Sequence, residues 1–476
     1  MTPESFALRT VAPNIFDAYA HPNILLYLVL GNLLSSELWR VSEKIQNRVL
    51  AESGKTVADP STLISAIQEQ INRSFTHLHI AQVKQVYGEI DLVAERARLG
   101  EEIVDAALLQ IMSHFELCIA KGYIPEQALR PALEGIQVGQ FPAYFYSNFD
   151  LVRANRKLLG SGRSAPLGLT SCVDETAIFA ALAMTLPAGT IKNVVALTSP
   201  NHTTAFGWNH DGTPWWFYGK NKLYFAHDWQ HSVQENAGGN AQLAFNQVMN
   251  DMGRIISVAG TFDFKTGQTN LIETHIDEIA EKMDELFGVR LHQLQAGLNR
   301  PRIPMPEDPL TPYLRSLLSS QNIGVVQKTL EESQDPACEI VLYSYRSLNV
   351  RNPCLYLKAA RNQPNSKALA KTLSTVEQVL AVVRGIVGRD SVFQDRSRIA
   401  MPDETLRFGT GSDRDKALLL HVLLEHLPKS PAAAAGVVSI LMSKTSYVCF
   451  GASTIELPSL QEVVLPNEPI VFRLGD

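Results

Sequence analysis

The strongest constraint on the fold is a change of hydrophobic period over residues 168–225. The stretch "GLTSCVDETAIFAALAM" passes from small polar residues into an unbroken Ala/Leu-rich run, which predicts a helix that opens at Cys172 and ends before Pro187. Thr170 or Ser171 can cap it, and Ser171 with Asp174 three residues on has the capping-box spacing. The period then shortens. "IKNVVALTS" is β-branched and predicts a strand, and "HTTAFGWNHDGTPWWFYGKN" predicts a hairpin turning at "NHDG". "KLYFAHDW" extends the pattern to a third strand. A helix followed by a strand and a hairpin is a compact unit, and it sets the fold class as α+β.

The rest of the chain is mostly helical in pattern. "PSTLISAIQEQINRSFTHLHIAQVKQVYGEI" and "GEEIVDAALLQIMSHFELCIAKGY" carry apolar residues three and four apart, and "QFPAYFYSNF" is a short aromatic strand or buried loop. "KLLGSGRSAPLGLTS" reads as a loop. Helical pattern returns from 240 to about 345, as in "ETHIDEIAEKMDELFGVRLHQLQAGL", with "NRPRIPMPEDP" as the best linker. More helices follow, including "SKALAKTLSTVEQVLAVVRGIVG", before a strand-like tail from 434. The expected organisation is a helical region 1–150, an α+β core 151–236, a helical region and linker 237–345, and a second α+β unit 346–476.

With 45% hydrophobic and 19% charged residues, the 476-residue chain has ample material for several cores. Its net charge of −6 and lack of a basic run argue against a nucleic-acid partner. "ILLYLVLGNLL" is shorter than the roughly 20 apolar residues of a spanning helix, so it reads as a buried helix and no membrane partner is expected. The five cysteines (Cys118, Cys172, Cys338, Cys354 and Cys449) are odd in number, widely spaced and form no CxxC. Reduced thiols in a cytoplasmic protein are the simplest expectation, and "MTPESFALRT" has no signal-peptide pattern.

Cys172 falls where a thiol gains chemistry. In the first turn of a helix, unpaired N–H groups and the helix dipole favour a thiolate, although Asp174 and Glu175 push the other way. A thiol nucleophile also needs a base, usually a histidine about 3 Å away. His202, thirty residues downstream at the start of the first hairpin strand, is the best candidate, because the return strand carries the chain back over the helix start.

This order of parts resembles the transglutaminase-like, papain-like cysteine enzyme superfamily. The resemblance covers roughly residues 165–225: the cysteine opening "TSCVDETAIFAALAMTL", the strand in "NVVALTS", the histidine opening "NHTTAFGW", and the turn and tryptophans of "NHDGTPWW". It implies a helix-plus-antiparallel-sheet core with large helical additions, no cofactor, and acyl transfer or amide hydrolysis by a Cys–His–Asp triad. Cys172 is then the nucleophile and His202 the base. The third member departs from the pattern. The hairpin register puts the usual acid near Tyr218, where no carboxylate stands. Asn221 lies at the same end of the hairpin as His202 and can hold an imidazole tautomer. Asp228 is the only nearby downstream acid, but a strand through "KLYFAHDW" carries it away at about 3.3 Å per residue, so Asn221 is preferred and Asp228 stays open. The implied substrate is an acyl or peptide-like group, free or carrier-bound; water as acceptor gives hydrolysis and an amine gives amide-bond formation.

Residues 407–424, "RFGTGSDRDKALLLHVLL", parallel the cysteine helix. Ser171-Cys172-Val173-Asp174 lies over Ser412-Asp413-Arg414-Asp415, and "NVVALTS" over "GVVSILMS". This reads as a duplicated, degenerate core in which the cysteine is Asp413 and no histidine opens the strand that follows. The alternative function is therefore a catalytically degenerate scaffold or binding protein. A third reading is a zinc-dependent hydrolase built on His210, His227 and His231 with Glu235, although "HDWQH" lacks the HExxH acid. "GTGSDRD" reads as a turn and acidic N-cap rather than a phosphate loop, and "PWWFY" and "YFYSNF" as core.

Overall fold

The computed structural model describes residues 22–77, 168–170, 172–198, 203–219, 222–251, 261–263, 268–270, 276–289, 310–335, 338, 341–342, 345–351, 353–361, 364–393, 397–428, 436–442 and 444–475. "GEEIVDAALLQIMSHFELCIAKGY", "QFPAYFYSNF" and the expected linker "NRPRIPMPEDP" lie outside them, as does most of the Gly/Ser loop before Cys172. The described part is α+β: helices combined with small antiparallel sheets. Among the described residues no helix is long and apolar enough to cross a membrane.

Three helices open the described chain: α1 (Pro22–Leu33), α2 (Ser36–Ser53) and α3 (Pro60–Ser74). The apolar run of α1 is buried, with Leu28, Val29, Leu30 and Leu33 inside the core, as its uninterrupted hydrophobicity requires. Helix α2 has a narrower apolar stripe of Leu38, Val41, Ile45 and Val49, and Gly54 at φ 62° ends it in the left-handed conformation. The helical pattern read through "SFTHLHI" stops at Ser74. Residues Phe75–His77 form β1, paired in parallel with β2 (Gly168–Thr170), Thr76 against Leu169 and His77 against Thr170. That pairing brings two stretches some ninety residues apart in sequence to the entry of the cysteine helix.

Helix α4 (Cys172–Met184) follows, then β3 (Ile191–Thr198), β4 (Thr203–Asn209), β5 (Pro214–Gly219) and β6 (Lys222–Phe225). The hairpin turns where the sequence placed it: Gly212 at φ 89° donates to the Asn209 carbonyl at 3.0 Å, and Thr213 N–H donates to Asp211 Oδ1 at 2.9 Å. Gly207 is obligatory in β4, because a Cβ there would lie 2.3 Å from the Trp215 ring. The expected strand "KLYFAHDW" is half strand and half helix. Strand β6 stops at Phe225 and α5 (Ala226–Ala237) begins at once, followed by α6 (Ala241–Asp251).

The helical pattern read for 240–345 is interrupted by a short hairpin, β7 (Thr261–Asp263) and β8 (Gln268–Asn270), before α7 (Ile276–Phe287). Strand β7 pairs antiparallel with β3, Val195 against Asp263, so the first sheet runs β6-β5-β4-β3-β7-β8. Its two faces are both covered. Val194, Ala205, Trp215 and Phe217 pack with α4, while Val195, Phe206, Trp208 and Trp216 pack with Trp229 of α5 and Phe287 of α7. The region read as 237–345 thus supplies both a strand and a cover to this sheet.

The C-terminal part contains α8 (Thr311–Ser320), α9 (Ile323–Glu332), α10 (Cys354–Arg361), α11 (Pro364–Thr372), α12 (Val376–Gly385), α13 (Pro402–Phe408) and α14 (Asp413–Glu425). Strands β9 (Val437–Met442), β10 (Ser446–Phe450), β11 (Ser453–Leu457) and β12 (Ile470–Leu474) form a second antiparallel sheet ordered β11-β10-β9-β12. "SKALAKTLSTVEQVLAVVRGIVG" is two helices, because Thr375 accepts from Gln378 N–H and caps a new start. One contiguous apolar core includes Leu30 of α1, Ile178 of α4 and Leu419 of α14.

Candidate functional site

The candidate site lies at the start of α4. Strand β2 delivers the chain to this point, and Cys172 is the first helical residue. From Ala177 to Ala183 every side chain of the helix is buried. The small alanines allow α4 to lie against α1 on one side and β3, β4 and β5 on the other. Phe179 provides the firmest grip on the sheet, stacking on Phe217 with ring centroids 4.1 Å apart and tilting against Trp215 at 5.4 Å. Of Cys172 the backbone is described; His202 and Asn221 lie outside the described residues, as does Ser171, the expected cap.

The residues on either side fix which end of the sheet meets the helix start. Ala205 pairs with Phe217 and Phe206 with Trp216, and continuing that register brings Thr203, the first residue of β4, level with Gly219, the last of β5. Gly219 pairs with Lys222, the first residue of β6. The helix reaches this same end: Glu175, one turn into α4, has its Oε2 3.7 Å from where a Cβ on Gly219 would sit. From the N-terminal helices, Gln68 Nε2 of α3 donates to the Gly219 carbonyl at 3.3 Å. The start of α4, the start of β4, the end of β5 and the start of β6 therefore converge. His202 immediately precedes Thr203 in the sequence, and Asn221 immediately precedes Lys222.

Tyr218, where the sequence located the usual acid, is on the other face. Strand alternation sets it edge-on to Trp216 at 5.0 Å, beneath α5 and α7. The helix-facing residue at this end of β5 is Gly219. Asp228 is engaged elsewhere. It sits in the first turn of α5, accepts from the Phe225 backbone N–H at 3.1 Å as a capping carboxylate, and pairs with His227 at 3.1 Å. Strand β6 separates it from Gly219, since Phe225 pairs with Trp215 at the far end of β5.

The histidines read as zinc ligands take other partners: His231 pairs with Glu235 at 3.1 Å, His227 with Asp228, and His210 is exposed in the hairpin turn. Among the described residues no group of three His, Cys, Asp or Glu side chains stands together as a metal site.

No family model, curated protein or solved structure matches the chain. Its own second sheet is the available comparison. Helix α14 spans thirteen residues, as α4 does, and both lead into a meander of three antiparallel strands. In both units a later strand adds antiparallel to the free edge of the first strand, β7 on β3 and β12 on β9. The connection from Thr198 to Thr203 and that from Leu441 to Ser446 each span four intervening residues.

At the corresponding corner of the second unit, Asp413 opens α14 and its Oδ2 accepts from Ser446 Oγ, at the start of β10, at 3.0 Å. Next to it the cap is closed: Asp415 accepts from Ser412 N–H at 2.9 Å and Ser412 Oγ at 3.0 Å, and from Ala400 N–H at 2.7 Å. Burial nonetheless pushes the Asp415 carboxyl up from its ordinary range. Here "GTGSDRD" is the turn and acidic cap that its sequence implied.

Two residues of the first corner escaped sequence reasoning. Gln68 carried no signal, because a glutamine on an amphipathic helix is ordinary. Glu175 was weighed only as a charge opposing a thiolate; an acid in the first turn of a helix normally faces solvent, and this one is fully buried.

Proposed function

We propose that the chain is a cysteine-dependent acyl-transfer enzyme with a transglutaminase-like core, and that its C-terminal unit is a degenerate copy of that core. The observation that carries this reading is the convergence at one corner of the first sheet. The helix opened by Cys172 reaches, through Glu175, the end of the sheet at which β4 begins, one residue after His202. The second unit supports the geometry. There the first residue of the helix and the first residue of the middle strand touch directly, through Asp413 and Ser446.

In this reading His202 takes the thiol proton of Cys172, and the thiolate attacks the acyl carbonyl. Backbone N–H groups of the helix start stabilise the oxyanion, and the imidazolium returns its proton to the leaving amine or thiol. Water or an amine then attacks the thioester, with His202 as base, and the thiol is regenerated. Cys172 and His202 carry the chemistry. Asn221, next to Lys222 in the sequence, is the proposed partner that holds His202; Asp228 is occupied as the cap of α5. The substrate is an acyl or peptide-like group.

The test is alkylation of the native protein with substoichiometric iodoacetamide at neutral pH, followed by peptide mapping. Cys172 is expected to react first, and His202→Ala to slow it. If Cys172 is inert while the partly exposed Cys354 or Cys449 takes the label, the enzyme reading fails and a degenerate scaffold replaces it.

A further inference from the structure

Helix α3 packs on α4 and runs along the first sheet toward the corner at which α4 begins. Near its start, Ser61 Oγ accepts from Asn209 Nδ2 at 3.2 Å, at the hairpin end of β4. Two turns later Gln68 Nε2 reaches the Gly219 carbonyl, at the opposite end of β5. The helix ends at Ser74, and Phe75–His77 pairs at once with Gly168–Thr170, the strand that stops two residues before Cys172. Asn72 stands between these last two anchors. Four residues after Gln68, it shares that residue's face and lies about 6 Å further along the helix axis, beyond the end of β5.

Its side-chain oxygen is the exception among the polar groups of this helix end. Glu69 takes Arg48 Nη2 at 2.8 Å and also Arg73, and Gln70 Nε2 donates to Ser74 Oγ at 2.8 Å. Gln68 is spent on Gly219. Asn72 Oδ1 is buried, and among the described residues no donor reaches it. A buried acceptor with no donor is a standing cost to the fold, and native chains keep very few. An acceptor kept at that cost, where α3, the β1–β2 pair and the first turn of α4 meet, is explained by a donor that arrives with a ligand. We propose that Asn72 is a substrate-binding residue of the candidate thiol site, whose side-chain oxygen accepts an amide N–H of the peptide-like substrate. This proposal deepens the Cys172 reading above and rests on it. It narrows the substrate class: the acyl group carries a secondary amide with a free N–H beside its reacting carbonyl, as a peptide does and a simple fatty acyl group does not.

The experiment uses two peptidyl chloromethyl ketones that differ in one group, a free N–H or an N-methyl at the amide next to the ketone. With either reagent the Cys172 thiolate displaces chloride and forms an S–C bond. Labelling of Cys172 is timed by peptide mapping in wild type, Asn72→Leu and Asn72→Ala, with a thermal melt of each variant. Iodoacetamide measures the thiol's own reactivity in each protein, and glutathione gives the intrinsic rate ratio of the two reagents. In wild type the N–H reagent is expected to outpace its methylated twin by at least about tenfold over that intrinsic ratio, the effect of leaving one buried acceptor unanswered. In both variants the preference falls to the intrinsic ratio. Asn72→Leu melts no lower than wild type, because it removes an acceptor that the fold leaves without a donor.

If Cys172 takes iodoacetamide but wild type does not favour the N–H reagent, or if folded Asn72→Leu and Asn72→Ala keep the preference, Asn72 serves the fold or an internal water and this inference alone falls. A clear drop in the melting temperature of Asn72→Leu means that the oxygen is answered within the fold, which overturns it too. If Cys172 is inert to iodoacetamide in wild type, the thiol-site reading fails and this inference with it.

Discussion

The two sheets of this chain share a plan and differ at the corner where the helix begins. Over the second sheet, α14 starts with a closed polar cluster: Ser412 and Asp415 cap each other, and Asp413 is satisfied by Ser446. Everything along α14 from Arg414 to Leu424 is buried, including His421, whose Nδ1 meets Ser439 Oγ at 2.9 Å. Over the first sheet, α4 starts with a cysteine, buries a carboxylate one turn later, and meets a strand end that has given up its side chain. One corner has its polar groups matched within itself, as a structural helix start does. The other, opened by Cys172, has a buried acid beside Gly219, whose backbone carbonyl is held by Gln68. The contrast teaches that the same fold element can start with a self-contained polar cap or with a buried acid packed toward a glycine, by changing a few residues at one helix start.

The comparison can be broken most forcefully through the core. Phe179 is fully buried and holds α4 to β5 through Phe217 and Trp215. Phe179→Ala should cost about 3–5 kcal/mol in chemical denaturation and should remove any preferential labelling of Cys172. Leu420→Ala in α14 should cost a similar 2–5 kcal/mol while leaving Cys172 labelling intact in the folded fraction.

Acid should act on the second unit through His421 and Glu404. Burial, with Arg361 and His426 nearby, pushes the His421 imidazole down to about 3, so it stays neutral in the fold but takes a proton on unfolding below about 6.5. Stability is therefore complete above pH 6.5 and falls by about 1.4 kcal/mol per unit as pH drops below it. Glu404 works in the opposite sense. Burial raises it to about 6 against the pull of Arg346, so the folded state gains a proton between about pH 6 and 4.5 and the two slopes cancel there. These two groups together should remove stability from pH 6.5 to 6, leave it level to 4.5, and remove it again toward 3, about 3 kcal/mol in all, with the raised Asp415 carboxyl opposing the last loss. Denaturation midpoints across pH check this, and His421→Gln should turn the level stretch into a gain on acidification.

Smaller effects sharpen the contrast between the caps. Ser412→Ala should cost about 1 kcal/mol by removing the oxygen that receives Asp415 N–H, and Ser446→Ala a similar amount or less, because Asp413 keeps its place in the first turn. Neither should change Cys172 labelling.

The sequence made the helix at Cys172, the strand at Ile191 and the hairpin at Asp211 legible, because each carries its own period or turn residues. The end of β6 was not legible: Leu223-Tyr224-Phe225-Ala226 stays apolar across the junction, and only Asp228, three residues after Phe225, hints at a helix start. The β1–β2 pair and the β7–β3 pair join distant segments through very few residues, too short for any periodic signal. Cys172 and His202 are singled out by their spacing in the sequence. The burial of Glu175 could not be read there, since it rests on a close approach to a glycine forty-four residues away on the facing strand.

The central claim is that the open corner is a thiol site. The most direct measurement is the rate of Cys172 alkylation by iodoacetamide at pH 7 relative to Cys354 in the same folded protein, with and without His202→Ala. The account predicts that Cys172 is modified at least about tenfold faster than Cys354, and that the advantage is lost in His202→Ala. Equal or slower labelling of Cys172, or an advantage that survives the loss of His202, would contradict it.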